Sequence, residues 1–166
     1  MSALVAIAIG SNLGDSLNIV QLALELLDRQ PAVKLVKVSR WYRTKAITLP
    51  NSPPQPDYIN GCAVLATTLS PVDLLSLLLW VEKCFGRERR SMWSARTLDL
   101  DLLLYEDQII TLPQLCVPHP RMGNRSFVLL PLQEIAPDWR HPVIGLTISE
   151  LAQSPPDLLL CQPQVL

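Results

Sequence analysis

Two aspartates separated by one residue, Asp99 and Asp101, are the residues of this sequence best suited to chemistry. They lie in an alternating stretch, 98–105, and alternate side chains of a β-strand point to the same face. Both carboxylates would then share one face, roughly 7 Å apart along the chain. Mg²⁺ is usually held by one or two carboxylates plus substrate phosphates, and two such ions can clamp an in-line phosphoryl displacement. The pair predicts metal-assisted phosphoryl transfer, although an isolated D-x-D also fits an edge strand with a solvated face.

The strand that carries these aspartates would bury its opposite face. Period-two alternation places four leucines on that face, namely Leu98, Leu100, Leu102 and Leu104. Thr97, Leu103 and Tyr105 would share the face of Asp99 and Asp101. Two like charges so close repel one another unless a cation lies between them, and burying both as ions is costly.

A cluster of arginines next to this strand favours an anionic ligand. Six of the ten arginines lie between residues 87 and 125, namely Arg87, Arg89, Arg90, Arg96, Arg121 and Arg125. Guanidinium groups bind phosphate through two parallel hydrogen bonds and stay charged at any working pH. The net charge of −1 argues against general electrostatic binding to nucleic acid. On charge alone, however, scattered surface arginines fit the sequence equally well.

Other residues could complete a site for a phosphorylated heterocycle. His119, between two prolines, could donate to a phosphate oxygen, or it could simply be a loop histidine. Tyr58, Trp93 and Phe127 could stack on a flat ring, although a single aromatic side chain more often belongs to the core.

The composition indicates one packed domain, 1–166, in a reducing compartment. The chain is 49% hydrophobic and 17% charged, which favours a globule over disorder. Its four cysteines form no C-x-x-C pair, and three of them have apolar neighbours, so buried thiols are expected. No apolar run is long enough to span a bilayer, and no basic leader precedes the first apolar stretch. We therefore expect a cytoplasmic protein.

Apolar periodicity and turn residues predict the order β-α-β-β-α-β. The predicted strands are 3–9, 33–45, 57–68 and 98–105, with 108–112 pairing with the last as a hairpin. The predicted helices are 16–29, 72–85 and 127–135, with a helical turn at 148–152. This order is that of the ferredoxin-like plait, an α+β fold whose antiparallel sheet has helices on one face. A C-terminal hairpin and helices would be additions, and the Asp pair would meet the loops on the exposed sheet face.

Five short motifs together resemble one known family, the 6-hydroxymethyl-7,8-dihydropterin pyrophosphokinases. They are AIGSNLGD at 8–15, SRWYRT at 39–44, PDYIN at 56–60, RTLDLD at 96–101 and VPHPRM at 117–122. The resemblance runs in order from about residue 5 to 142, and the tail 143–166 does not match. It implies an enzyme of folate biosynthesis that transfers pyrophosphate from ATP to the pterin hydroxymethyl group and releases AMP.

The resemblance also implies roles for individual residues around the phosphates. Asp99 and Asp101 would hold two Mg²⁺ ions that bridge ATP and the pterin hydroxyl. Further residues would contact the ATP phosphates or shape that site, namely Glu82, Arg87, Arg89, Arg96, His119 and Arg125. Trp93, in the basic loop 87–95, would close over the bound substrates. Together with the two aspartates, Arg89, Trp93 and Arg96 form the expected catalytic set.

For the pterin, the resemblance implies stacking on the ring faces and hydrogen bonds to the edge of the ring. Tyr58 and Phe127 would stack on the two ring faces, Asn60 would bind the edge, and Thr44 would present backbone groups. The pterin hydroxyl would attack the β-phosphorus of ATP. Because no side chain is an obvious general base, positioning and charge neutralisation would supply most of the acceleration.

Two other classes of protein remain compatible with these residues. Palm-type nucleotidyl transferases and cyclases also place two carboxylates on such a sheet, and a ligand-sensing module could share the topology without being an enzyme. If the chain is a pyrophosphokinase, the expected partners are ATP and hydroxymethyl-dihydropterin, with no nucleic acid and no membrane. The chain is then expected to be a monomer.

Overall fold

The structure is a computed structural model that describes residues 1–86 and 97–166. The strands are β1 (Ala3–Ser11), β2 (Val33–Val38), β3 (Tyr42–Thr44), β4 (Tyr58–Thr67), β5 (Asp99–Tyr105), β6 (Ile110–Thr111), β7 (Cys116–Val117) and β8 (Gln164–Val165). The helices are α1 (Ser16–Asp28), α2 (Pro71–Cys84), α3 (Ser126–Ile135), α4 (Ile148–Leu151) and α5 (Leu158–Cys161), and a 3₁₀ turn covers Met122–Asn124. The predicted helices and the outer limits of most predicted strands are thus confirmed to within a few residues.

Six strands form one antiparallel sheet in the order β5-β1-β4-β3-β8, and β2 pairs with β4 beside β3. The remaining two strands, β6 and β7, pair with each other. The expectation of a mixed α and β fold with an antiparallel sheet is therefore confirmed. No helix in the described part of the chain is long and apolar enough to cross a membrane.

The two long helices begin where the sequence supplies caps. The Asp15 side chain accepts a hydrogen bond from the Asn18 N–H at the start of α1, and Ser70 does the same for Asp73 at the start of α2. Such caps satisfy N–H groups that have no partner within the helix. The apolar faces of both helices pack against Val5, Ile7 and Ile9 of β1, together with neighbouring strand residues.

The opposite face of the sheet is partly covered as well, so the prediction of helices on one face only is wrong. Val128 and Leu132 of α3 pack against Ala6 of β1 and Val64 of β4, which point away from α1 and α2. A ten-residue helix is only about 15 Å long and leaves the far ends of the strands open. That uncovered area holds the Asp99 and Asp101 end of β5.

A β-bulge interrupts the alternation of β5. Ile7 pairs with Leu102 and Ala6 with Leu104, so Leu103 is an extra residue. As a result Leu104 packs on the α3 side, whereas Tyr105 lies on the other side and its hydroxyl donates to the Leu69 carbonyl at 2.6 Å. The predicted faces of Leu104 and Tyr105 are therefore wrong. Period-two alternation assumes that each residue of β5 lies opposite one residue of β1, and the bulge breaks that one-to-one pairing.

One predicted strand is divided in the structure, and one predicted pairing differs. The stretch 33–45 breaks at residues 39–41, where the Ser39 hydroxyl accepts the Cys62 N–H at 2.9 Å and the Arg40 N–H donates to Glu134 of α3 at 2.9 Å. Side chains there replace ladder hydrogen bonds, so the strand divides into β2 and β3. The segment at 108–112 pairs with Cys116–Val117 rather than with β5.

The tail 143–166 returns to the sheet edge. In β8, Val165 pairs with Tyr42 and Gln164 with Arg43. All four cysteines are free; Cys62 and Cys161 are buried, as expected, whereas Cys84 and Cys116 are exposed. Exposure of the last two follows from their places at the end of α2 and in the short β7.

Candidate active site

The register of three strands brings the chemically suited residues together. Gly10 of β1 lies opposite Asp99 of β5 on one side and opposite Asn60 of β4 on the other, and Ala8 lies opposite Asp101. Directly opposed residues of antiparallel strands share a face. Since Gly10 and Ala8 have almost no side chain, the carboxylates and the amide border a hollow in the sheet.

This hollow is part of a cavity of about 390 Å³. Its strand-borne lining comprises Ala8, Ile9, Gly10, Thr44, Tyr58, Asn60, Asp99 and Asp101. Loops and helices contribute Lys45, Ile47, Arg121, Asn124, Arg125, Phe127, Asp157 and Cys161. The lining therefore combines charged side chains with aromatic rings and with amide and hydroxyl groups.

The Asn60 amide is held in one orientation. It is buried, and its Nδ2 donates to the Thr44 hydroxyl at 2.7 Å. A Cβ atom added at Gly10 would lie 2.6 Å from the Asn60 Oδ1, closer than the two atoms can approach. Gly10 is needed because the amide lies across the backbone of β1.

We expect Gly10→Ala to weaken binding of any ligand that uses Asn60, with a modest loss of stability. The added methyl group must displace the amide or shift β1, and overpacking of this kind typically costs about 1–3 kcal/mol. Gly123→Ala is the matched control, because its Cβ would meet its nearest atom at an ordinary 3.5 Å. Equal ligand affinity in the two variants would show that the Asn60 orientation does not matter for binding.

The aspartate pair supplies two carboxylates to the cavity. Both carboxylates line the cavity, and among residues 1–86 and 97–166 no group of three or more His, Cys, Asp or Glu side chains could hold a metal ion. Mg²⁺ takes oxygen ligands and commonly combines one or two carboxylates with water and phosphate oxygens. The carboxylate oxygens of Asp99 and Asp101 are ligands of the type that such a cation takes.

Two arginines stand beside the aspartates. Burial lowers the pKa of Arg125, and the neighbouring Asp101 and Asp99 carboxylates partly oppose that effect. Its guanidinium lies 5.4 Å from the centre of the Phe127 ring, within the range of a cation–π contact. Arg121 lines the same cavity. An arginine remains protonated even in such surroundings, so this end of the cavity can bind an anion.

His119 is not among the residues that line the cavity. Its backbone N–H donates to the Leu103 carbonyl at 2.9 Å, and its Nδ1 accepts the Arg121 N–H at 3.1 Å. Burial, followed by the charges of Arg125 and Arg121, lowers the pKa of His119 to about 4. The imidazole is therefore neutral at pH 7 with its proton on Nε2, which makes that atom a hydrogen-bond donor.

We expect the His119 ring to titrate near pH 4 in the folded protein, which NMR of the imidazole protons can measure. Because the ordinary pKa is 6.5, the unfolded chain takes up this proton first as the pH falls. The contribution of His119 to stability is therefore constant above pH 6.5 and is progressively lost between pH 6.5 and 4. A midpoint close to 6.5 in the folded protein would contradict the burial and charge argument.

Glu82 also lies outside the cavity lining, on the outer edge of β5. Its buried carboxylate accepts the Leu100 N–H at 3.3 Å. Leu100 separates Asp99 from Asp101, so Glu82 contacts the backbone between the two aspartates. The remaining residues expected at the site, Arg87, Arg89, Trp93 and Arg96, lie outside the described residues.

Sequence reasoning assigned no site role to several residues that line the cavity. Arg121 and Asn124 belong to the segment that follows His119, and the arginine cluster was a usable signal for the first. Lys45 and Ile47 follow Thr44 directly. Asp157 and Cys161 come from the unmatched tail, and nothing in their local sequence marks them.

Comparison with known proteins identifies the family. Residues 6–137 match the family model described as 7,8-dihydro-6-hydroxymethylpterin-pyrophosphokinase (HPPK). A 2-amino-4-hydroxy-6-hydroxymethyldihydropteridine pyrophosphokinase of Synechocystis is 46% identical over 147 residues, which cover 89% of this chain and 73% of that protein. The enzyme of the same name from Pseudomonas aeruginosa is 46% identical over 139 residues, 83% of each chain.

Solved structures show the same fold at much lower sequence identity. An HPPK-DHPS crystallised with substrates superposes with a TM-score of 0.69 at 13% identity, and an HPPK-DHPS of Plasmodium falciparum with a TM-score of 0.73 at 15%. In both cases 92% of this chain is covered, but it spans only 43% of the other. The family model and the relatives at 46% identity agree with the motifs and with the cavity: this chain belongs to the 7,8-dihydro-6-hydroxymethylpterin-pyrophosphokinase family.

Proposed function

We propose that this chain carries out the reaction of its family, ATP-dependent pyrophosphoryl transfer to 6-hydroxymethyl-7,8-dihydropterin, in the cavity between β1, β4, β5 and α3. It is thus a transferase of folate biosynthesis, and it releases AMP. The observation that carries the proposal is that paired carboxylates, arginines, aromatic rings and a fixed amide line one cavity. A phosphate-rich substrate and a flat heterocycle can therefore bind next to each other.

The aromatic part of the cavity suits the pterin. Tyr58 and Phe127 both line it and offer ring faces for stacking. The Asn60 amide, fixed by Thr44, presents its Oδ1 to donors on the edge of the heterocycle. Since a pterin is neutral and flat, stacking and edge recognition give affinity without a charged partner.

The charged part suits the ATP phosphates. Asp99 and Asp101 would hold Mg²⁺, and we propose two ions, which when bound would neutralise charge on the transferred group and acidify the attacking hydroxyl. Arg125 and the Nε2–H of His119 would bind phosphate oxygens, with Arg87, Arg89 and Arg96 proposed from the sequence. Glu82 would fix β5 between the aspartates. The protein's own groups would thus position the reactants and, together with the bound cations, stabilise the charge that develops during phosphoryl transfer.

We further propose that residues 1–166 act as one catalytic domain with a ferredoxin-like core. The order β5-β1-β4-β2 supports this topology, since it is the split βαβ arrangement with β3, β8 and α3 added. The pairing of β8 with β3 supports inclusion of the tail in the same domain. Four free thiols support a reducing compartment such as the cytoplasm. We also propose that the protein is a monomer.

The experiment combines the protein with ATP, Mg²⁺ and 6-hydroxymethyl-7,8-dihydropterin and follows AMP and the pterin diphosphate. Equal amounts of the two products are expected, with none when Mg²⁺ or pterin is omitted. Pyrophosphate release from ATP without pterin would instead indicate a nucleotidyl transferase or cyclase. Ligand binding without turnover and without Mg²⁺ would indicate a sensing module. Family membership favours the first outcome over both alternatives.

A further inference from the structure

The cavity has a wall made of residues that lie beyond the family match. That match ends at residue 137, but Asp157 and Cys161 line the cavity. Asp157 immediately precedes α5 and Cys161 ends it. The last part of the chain is therefore close enough to influence how the pterin part of the cavity is shaped.

Asp157 caps the helix that carries Phe127. Its Oδ1 accepts the N–H of Ser126, the first residue of α3, at 2.7 Å. The residue at the cap position of α3, Arg125, makes no side-chain capping hydrogen bond. The first N–H groups of a helix have no partner within it, and a carboxylate there forms a strong, charge-assisted hydrogen bond. Asp157 thus fixes the first turn of α3 from a distant part of the sequence.

The same aspartate is linked to the opposite side of the cavity through Cys161. The Cys161 thiol donates to the Asp157 Oδ2 at 3.3 Å, and the Cys161 carbonyl accepts the Lys45 N–H at 2.9 Å. Burial, together with the Asp157 carboxylate, raises the pKa of the Cys161 thiol to about 12, so it keeps the proton that it donates. Lys45 directly follows Thr44, whose hydroxyl accepts from Asn60.

We propose that Asp157 is a positioning residue for the pterin: it holds the start of α3, and with it the Phe127 ring, at a fixed distance from the Thr44 and Asn60 side of the cavity. The two sides that must enclose a flat ring are carried by separate elements, β3 and β4 on one side and α3 on the other. Further along α3, Val128 packs against Val64 of β4, but Asp157 is the residue that holds the first turn of the helix. Asp157 and Cys161 connect them through three consecutive hydrogen bonds. This inference rests on the proposed function.

The test compares steady-state constants for both substrates in Asp157→Ala, Asp157→Asn and the wild type. In Asp157→Ala the KM for the pterin should rise about tenfold, the size of one charge-assisted hydrogen bond. The KM for ATP should rise less, because Asp157 acts on the phosphate side only through the charge of Arg125. Asp157→Asn keeps an oxygen that can accept the Ser126 N–H, so it should recover most of the loss. Asp138→Ala removes an exposed carboxylate just after α3 and serves as the matched control.

A melting curve for each variant separates positioning from general stability. An unchanged pterin KM in Asp157→Ala would overturn the proposal, whatever the melting temperature, and so would an equal rise of both KM values or a failure of Asp157→Asn to recover. If Asp157→Ala does not fold, Asp157→Gln, which moves the accepting oxygen by one methylene, takes its place. Absence of transfer in the wild-type protein would reject the proposed function itself. Kinetic differences between the variants and an active wild type would bear only on the role of Asp157.

Discussion

We expect Asp101→Asn to leave the protein folded while transfer falls by at least about 10²–10³-fold, the usual cost of removing one group that stabilises transition-state charge. Asparagine has nearly the same shape, and Asp101 lies on the cavity surface rather than in either core cluster. The change removes the repulsion between two like charges on the same strand face but also the attraction between Asp101 and Arg125, so the melting temperature without ligand should change little. AMP formation and thermal unfolding, measured on the same sample, check both parts.

A binding measurement shows whether the loss comes from the cation site. A ligand that binds only the folded state raises its stability, so ATP with Mg²⁺ should raise the melting temperature of the wild type but not of Asp101→Asn. The pterin should bind both proteins, because Asn60 and Phe127 do not depend on the cation. Asp107→Asn, in the exposed turn after β5, is the control. Near-normal transfer in a folded Asp101→Asn protein would show that transfer does not need a cation at Asp101. That result would contradict the proposed mechanism.

We expect Phe127→Ala to weaken pterin binding roughly 10- to 100-fold, as stacking of a base on an aromatic side chain contributes about 1–3 kcal/mol. ATP affinity should change less. Arg125 loses its contact with the Phe127 ring, but the aspartates and His119 are held by β5 and the segment that follows β7. Titration calorimetry with each substrate measures the two affinities separately.

Phe127 also packs against the hydrophobic cluster under α3, so its replacement can lower stability as well as remove stacking. The two affinities must therefore be compared with the melting temperature of the variant. A variant that unfolds at lower temperature but loses affinity only for the pterin supports stacking. An equal loss for ATP and pterin would show that Phe127 merely anchors α3. Trp80→Ala, which removes an aromatic side chain that is 46% exposed on α2, should alter neither affinity.

Those features that depend on neighbouring residues could be predicted from the sequence. The same-face placement of Asp99 and Asp101 needs only the period of a strand, and the caps of α1 and α2 need only a polar residue before an apolar run. The joint placement of Asp99, Gly10 and Asn60 depends on the strand register, which the strand order alone does not determine. The family resemblance assigned Asp99 and Asn60 to the site but gave no role to Gly10.

The features that escaped prediction arise from contacts between distant residues. The bond from Ser126 to Asp157 spans 31 positions and that from Arg40 to Glu134 spans 94. Neither has a local pattern, because a single hydrogen bond requires no periodicity. The split between β2 and β3 depends on the second of these contacts and on the Trp41 ring, which lies where a Cβ of Gly61 would be. Burial of α3 on the second sheet face likewise depends on tertiary packing alone.

The bulge at Leu103 has a consequence for how the chain length can vary during evolution. The Leu100 N–H points outward to Glu82, so in a regular strand the carbonyl of residue 103 would point inward to β1. Instead it accepts the N–H of His119. Loss of this one codon would restore an ideal ladder and keep every other side chain of β5 on its present face, yet it would release the segment that carries His119 and Arg121. Selection should therefore retain this extra residue, even though its removal would give the sheet a more regular hydrogen-bond ladder.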